Sequence, residues 1–124
     1  MFRLLIGMAL AASLAQAAPG DAVRGGQLYT QRCTACHSLD ANRIGPMHRG
    51  VFGRKSGSVP GYNYSPAVKK LNVVWNETTL DKWLKSPTTM APGTMMGLSV
   101  PNAQDRADLI AYLKSVSPPV KPAR

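Results

Sequence analysis

Three stretches of the chain carry a helical period. In DAVRGGQLYTQRC (21–33), Ala22, Gly25, Tyr29 and Cys33 recur at spacings of three or four and share one face. Gly25, with no Cβ, would let a second helix approach closely. From Asn76, an N-cap, ETTLDKWLKS turns Leu80, Trp83 and Leu84 inward, and Pro87 stops it. Asn102, with Asp105 three residues on as a capping-box-like pair, opens a last helix whose inward face runs through Leu109, Ile110, Leu113 and Val116. Between the first two helices, RIGPMHRGVFGRKSGSVPGYNYSPA carries a glycine or proline every few positions, too often for a long helix or a regular sheet. PTTMAPGTMMGLSVP reads as a second loop. The pattern predicts an all-α chain whose helices are few and whose loops are long enough to need ordering by something else.

The two ends read differently. MFRLLIGMALAASLAQAAPG has a positive charge at Arg3, an apolar run from Leu4 to Leu14, and Ala15 and Ala17 flanking Gln16, the layout of a secretory signal peptide. The apolar run falls short of the roughly 18 residues of a membrane span. Cleavage is expected after Ala17, giving a leader over 1–17, a single domain over 18–117 and a proline-rich, basic, disordered tail over 118–124. The product is expected in the periplasm, as a monomer with no stable membrane insertion. A domain this short often depends on a disulfide, metal or cofactor. The formal charge of +9, one unit of it on Arg3, favours acidic partners, and export argues against nucleic acid.

The candidate chemistry sits in QRCTACHSLD, which holds both cysteines of the chain and one of its two histidines. A thioredoxin-like pair needs a βαβ setting that is missing here. A closed zinc site needs four ligands, and beyond Cys33 and Cys36 only His37 and His48 remain. C-x-x-C-H is the attachment signature of c-type haem: two thiols one helical turn apart reach two vinyl groups, and His37 directly after them lies under the iron. A covalent haem also accounts for the loops, since a large apolar ring gives them a centre to pack around.

The sixth ligand decides the chemistry. An open position permits peroxidase or gas-binding chemistry, whereas a sulfur ligand favours electron transfer. Met47, Met90, Met95, Met96 and His48 are the candidates. His48 follows His37 so closely that its loop would have to cross the ring edge almost fully extended, so His48 is expected to be exposed or bonded to a carbonyl. APGTMMG sets a proline and a glycine just before two methionines, a turn suited to presenting a side chain.

The motifs GDAVRGGQLYTQRCTACHSL, GPMHRGVFGRKSG, GYNYSPA, Trp75, LDKWLKSP, PGTMM and RADLIAYLKS together resemble the class I cytochromes c of mitochondria and bacteria over nearly the whole chain after the leader. The resemblance implies crossed N- and C-terminal helices, with Gly25 and Tyr29 against Leu109 and Tyr112, and shorter helices enclosing one haem. It implies Met96 as the axial sulfur opposite His37, and the Pro46 carbonyl as acceptor of the His37 ring N–H. Arg54, Tyr64 and Trp75 match the set that bonds the inner haem propionate, and Thr94 matches a further donor there.

Some positions depart from that pattern. Trp83 stands where a tyrosine usually lies near the methionine sulfur, Val68 where an asparagine is common, and Leu98 where the haem edge has an aromatic. Thr88, Thr89 and Met95 replace lysines that ring the edge in mitochondrial members. The resemblance implies a one-electron carrier, not an enzyme, that moves electrons between a reductase and a terminal oxidase or other redox partner. Proteins with acidic docking surfaces, such as a bc1-type reductase, an oxidase or a dehydrogenase, are the expected partners.

Overall fold

The computed structural model describes residues 17–119. The leader, apart from Ala17, and most of the tail lie outside the described residues. Five helices follow in order: α1 (Ala22–Arg32), α2 (Pro66–Lys69), α3 (Glu77–Lys85), α4 (Pro87–Met90) and α5 (Ala103–Ser115). Among the described residues the only β feature is one antiparallel bridge, Lys55 with Val74.

The three periodic stretches fold as helices within a residue or two of their expected bounds. Asp21 caps α1, its side chain accepting from the Val23 and Arg24 N–H groups. Asn76 and Thr79 form a full reciprocal capping box on α3. At α5 only half of the expected box forms. Asn102 accepts from the Asp105 N–H, but the Asp105 carboxylate turns across to α1, pairing with Arg24 at 2.7 Å and Arg32 at 3.1 Å.

The two intervening segments are not loop throughout. Each holds a one-turn helix opened by a Ser-Pro pair: Ser65 caps α2 with Pro66 in its first turn, and Ser86 caps α4 with Pro87 likewise. Pro87 therefore ends α3 by starting α4. Elsewhere the first segment turns on glycines with positive φ at Gly50, Gly53, Gly57 and Gly61.

α1 crosses α5 at close range. A Cβ on Gly25 would overlap the Asp108 carbonyl oxygen and lie 2.9 Å from the Tyr112 Cβ, so glycine sets the approach. Around the crossing, Leu28, Tyr29, Leu109, Ile110 and Leu113 are buried, joined by Leu80 and Leu84 of α3 and by Val51, Phe52, Trp75 and Val100 from the loops. Because α5 packs on both α1 and α3, it also buries charge. Asp108, almost wholly buried, accepts from the Asp21 N–H at 2.8 Å, Gln104 at 3.0 Å and Arg24 at 2.6 Å. Arg106, also buried, donates to Asp81 on α3 at 2.7 Å and to the carbonyls of Val100 and Pro101. Each buried charge has its partners, which the low dielectric of the interior requires. This frame holds the C-terminal end of α1, and with it the cysteine motif, against the core.

Candidate haem site

α1 ends at Cys33, and the chain makes one more turn before His37. The Cys36 and His37 N–H groups both donate to the Cys33 carbonyl, at 3.2 and 2.9 Å. Arg43 reaches back over this turn and donates to the carbonyls of Thr34 (2.7 Å) and His37 (3.3 Å). These bonds fix the path of the motif from the end of α1 to His37. Cys33 is partly buried and Cys36 exposed, so one thiol lies in the wall and the other at the rim. Burial pushes the Cys33 thiol up to about 11, so at neutral pH it is not the thiolate that disulfide exchange requires.

The His37 ring lies in the wall of a cavity of about 250 Å³. Its Nδ1 is 2.8 Å from the Pro46 carbonyl. A carbonyl only accepts, so Nδ1 carries the proton and the Nε2 lone pair is free for a metal. Burial lowers the pKa of the imidazole, and the Pro46 bond only partly offsets this, which keeps the ring neutral as a ligand must be. Gly45 is required next to it, because a Cβ there would overlap the His37 ring.

Another part of the wall comes from the second loop. Ala91-Pro92-Gly93-Thr94 is a turn closed by the Thr94 N–H on the Ala91 carbonyl at 2.9 Å, with Gly93 at φ +97° in the place that disfavours other residues. The Thr94 hydroxyl then accepts from the Met96 N–H at 3.3 Å. Past this point the Val100 N–H donates to the Leu84 carbonyl at 2.7 Å and ties the loop to α3. Of the two methionines after the turn, Met95 is 89% exposed, whereas Met96 is partly buried; both border the cavity.

Cys33, Cys36, His37, Pro46, Arg54, Tyr64, Trp75, Trp83, Thr94 and Met96 all line this one cavity, whereas Met47 and Met90, the other methionines considered as ligands, do not. The Trp75 N–H donates to the Arg54 carbonyl at 2.8 Å, and the Gly53 N–H to the Trp75 carbonyl at 2.7 Å, which sets these side chains on one wall. Trp83 leans on Trp75, ring centroids 5.5 Å apart. The Tyr64 hydroxyl accepts from the Val59 N–H at 3.0 Å. Arg54 donates to the Met47 carbonyl at 2.8 Å and the Arg49 carbonyl at 2.6 Å, so it braces the Pro46–Arg49 segment as well as facing the cavity. Val51, Val68, Leu80, Leu84, Leu109 and Leu113 make the rest of the wall largely apolar.

His48 differs from its expectation. It is neither exposed nor bonded to a carbonyl through its ring. It is partly buried, its Nδ1 lies 3.0 Å from the Tyr29 hydroxyl, and its ring stacks on His37 with centroids 3.8 Å apart and planes 17° apart. Burial lowers its pKa to about 3, with His37 and Arg54 adding to the effect. The sequence reading also assigned nothing to Arg43 and Gly45. The glycine before Pro46 was the available signal for one; nothing in the local pattern marks the other.

The donor set fits an iron porphyrin held by two thioethers. There is a neutral imidazole with a free Nε2, two thiols one and four residues before it, a methionine bordering the same largely apolar cavity, and hydrogen-bonding side chains along its wall. That defines the class as a protein built to enclose a covalently attached haem. The cytochrome c family model matches residues 22–117. Cytochrome c of Sesamum indicum is 44% identical over 112 residues, covering 86% of this chain and 99% of the relative. Cytochrome c2 of Rhodomicrobium vannielii is 43% identical over 113 residues, covering 88% and 90%, and cytochrome c2 of Rhodopila globiformis 45% over 103 residues, covering 81% and 97%. The chain belongs to the cytochrome c family, and is an electron carrier with covalently bound haem c.

Proposed function

We propose that His37 and Met96 are the axial ligands of this haem, that Cys33 and Cys36 are its thioether anchors, and that the protein carries one electron at a time without transforming a substrate. The observation that carries this reading is the pairing of a neutral His37, proton committed to the Pro46 carbonyl, with a partly buried Met96 bordering the same apolar cavity. When bound, the haem supplies an iron that cycles between Fe(III) and Fe(II). The chain's contribution is to hold two ligands rigidly, so that little rearranges when the charge changes, and to keep water out with its aliphatic wall. A sulfur ligand in a dry pocket favours the reduced state and raises the potential. Arg54, Tyr64, Trp75 and Thr94 would hold the propionates, and Trp83, whose ring leans on Trp75, would close the wall beside them.

The same proposal includes export to the periplasm after cleavage at Ala17, which the leader pattern and the similarity to bacterial cytochromes c2 support. No helix among the described residues is long and apolar enough to cross a membrane. The working form is a monomer. Its net positive charge speeds encounter with acidic faces on a bc1-type reductase, an oxidase or a dehydrogenase, an effect that falls with salt.

Near-infrared absorption of the oxidised protein tests the ligand assignment. A low-spin spectrum with a sulfur-to-iron charge-transfer band is expected. A high-spin spectrum without that band would overturn it and favour an open site with peroxidase or gas-binding chemistry.

A further inference from the structure

His37 is held by more than the Pro46 carbonyl. The Pro46 bond holds the ring at one point of its edge, Nδ1, and so restrains but does not by itself lock rotation about the Cβ–Cγ bond. The plane is met by His48, whose ring lies nearly parallel to it at 3.8 Å. His48 is itself pinned at three points. Its N–H donates to the Ser38 carbonyl at 3.0 Å, its carbonyl accepts from the Val51 N–H at 2.9 Å, and its Nδ1 bonds the Tyr29 hydroxyl at 3.0 Å. Tyr29 stands on α1, buried in the core, with its ring against Tyr112 of α5 at 5.1 Å. A continuous line of contacts therefore runs from the α1–α5 crossing through a hydroxyl and a stacked ring to the metal-binding imidazole.

The geometry points to Tyr29 and His48 as positioning residues that set the rotational angle of the His37 ring about its bond to the metal. This rests on the reading of His37 as an iron ligand. The angle has a chemical consequence because the filled π orbital of an axial imidazole overlaps one iron dπ orbital or the other according to the direction of the ring plane. The plane therefore selects the orbital that holds the ferric hole and the side of the macrocycle that carries most unpaired spin. It also selects the edge through which an electron couples best to a partner. An apolar side chain in place of His48 could fill the volume but would offer neither the flat stacking face nor the bond to Tyr29.

The test is the NMR spectrum of the ferric holoprotein at one fixed pH, read at the haem methyl resonances, whose spread reports the orientation of both axial ligands; with the resonances of the Met96 side chain followed alongside as a control, a change in the spread while these hold still reports the imidazole plane. The variants are Tyr29→Phe, which removes only the hydroxyl, His48→Leu, and the two combined. The wild type first checks the underlying assignment: absence of a low-spin histidine–methionine pattern there would remove His37 or Met96 as a ligand and leave nothing for these residues to position. With that pattern present, Tyr29→Phe is expected to change the methyl spread or split it into two sets, and His48→Leu to change it further. Tyr29→Phe is expected to have no additional effect once His48 is leucine, because the hydroxyl acts through that ring. His48→Phe, which restores a flat face, is expected to recover part of the original spread and keeps the test open if the leucine variant folds poorly. An unchanged spread in Tyr29→Phe, or an equal change with and without His48, overturns the proposal.

Discussion

Replacing Gly25 by alanine puts the α1–α5 crossing to a sharp test because Gly26, its neighbour on the same helix, supplies the control. At Gly25 an added Cβ would overlap the Asp108 carbonyl oxygen and lie 2.5 Å from its carbon and 2.9 Å from the Tyr112 Cβ. Carbon atoms pack at about 3.5–4.0 Å, so the helices must part by about 1 Å, and gaps of that size forfeit a quarter to a half of each contact's attraction. Backbone atoms cannot rotate aside, which places the cost at the upper end of the roughly 1–3 kcal/mol usual for overpacking, or above it. The better helix propensity of alanine returns about 1 kcal/mol. A net loss of about 2–3 kcal/mol is expected. At Gly26 the nearest atoms are the Tyr112 ring carbons at 3.2 and 3.3 Å, a side chain able to yield by a few tenths of an ångström. There the propensity gain of about 1 kcal/mol offsets the crowding, and the net change should be close to zero. Guanidinium unfolding of the two holoproteins, followed by far-UV circular dichroism, measures both. Equal midpoints for Gly25→Ala and Gly26→Ala would refute the reasoning, since they would mean that the crossing adjusts freely around an inserted methyl group.

Three further outcomes are expected. Burial pushes the Asp108 carboxyl up, but the Asp21 N–H, Arg24 and Gln104 outweigh it and hold the group below the ordinary carboxylate range. Its stabilising contribution is therefore present above the unfolded value of about 3.9 and is lost as pH falls through the folded value. Asp108→Asn, which sets an amide where three donors converge, should cost about 3 kcal/mol at neutral pH and flatten the loss of stability toward acid, as pH-dependent denaturation would show. Met96→Ala should remove the sulfur-to-iron band and lower the midpoint potential, while Met95→Ala, at a position 89% exposed, should leave both nearly intact; the reverse pattern would reassign the ligand. Thr88, Thr89 and Met95 leave the ligand loop without a lysine, and Lys82 and Lys85 are exposed on α3. The band should therefore survive titration up to the ordinary lysine range of about 10.4, with Lys82→Ala and Lys85→Ala causing no change.

The parts of this molecule that were legible in the sequence are those whose physics is local. α1, α3 and α5 announce themselves by caps and by apolar spacing, and Cys33, Cys36 and His37 by a spacing that haem attachment dictates. α2 and α4 escaped because four residues cannot show a period; their only signal is serine before proline, which reads equally as a stop. Asp105 was misjudged as a box partner because Arg24 and Arg32, which draw it away, belong to a helix far off in the chain. His48 was misplaced for the same reason. Its position depends on a hydroxyl from α1 and on the ring of His37, neither of which its own neighbours reveal. Resemblance, not periodicity, singled out Arg54, Tyr64, Trp75 and Thr94; the pairing of residues 53–55 with 74–75 brings Arg54 and Trp75 together, and Tyr64 and Thr94 reach the same cavity from other segments.

The central claim, a rigid site that carries one electron with both ligands in place, is tested most directly by an equilibrium redox titration of the holoprotein followed in the visible and at the sulfur-to-iron band together. The account predicts a single reversible transition, about 59 mV per tenfold change in the oxidised-to-reduced ratio, with the band of the oxidised form vanishing in step and returning fully on reoxidation. A potential that shifts with scan direction, or a band lost without return, would show that Met96 leaves the iron during the cycle and would contradict it.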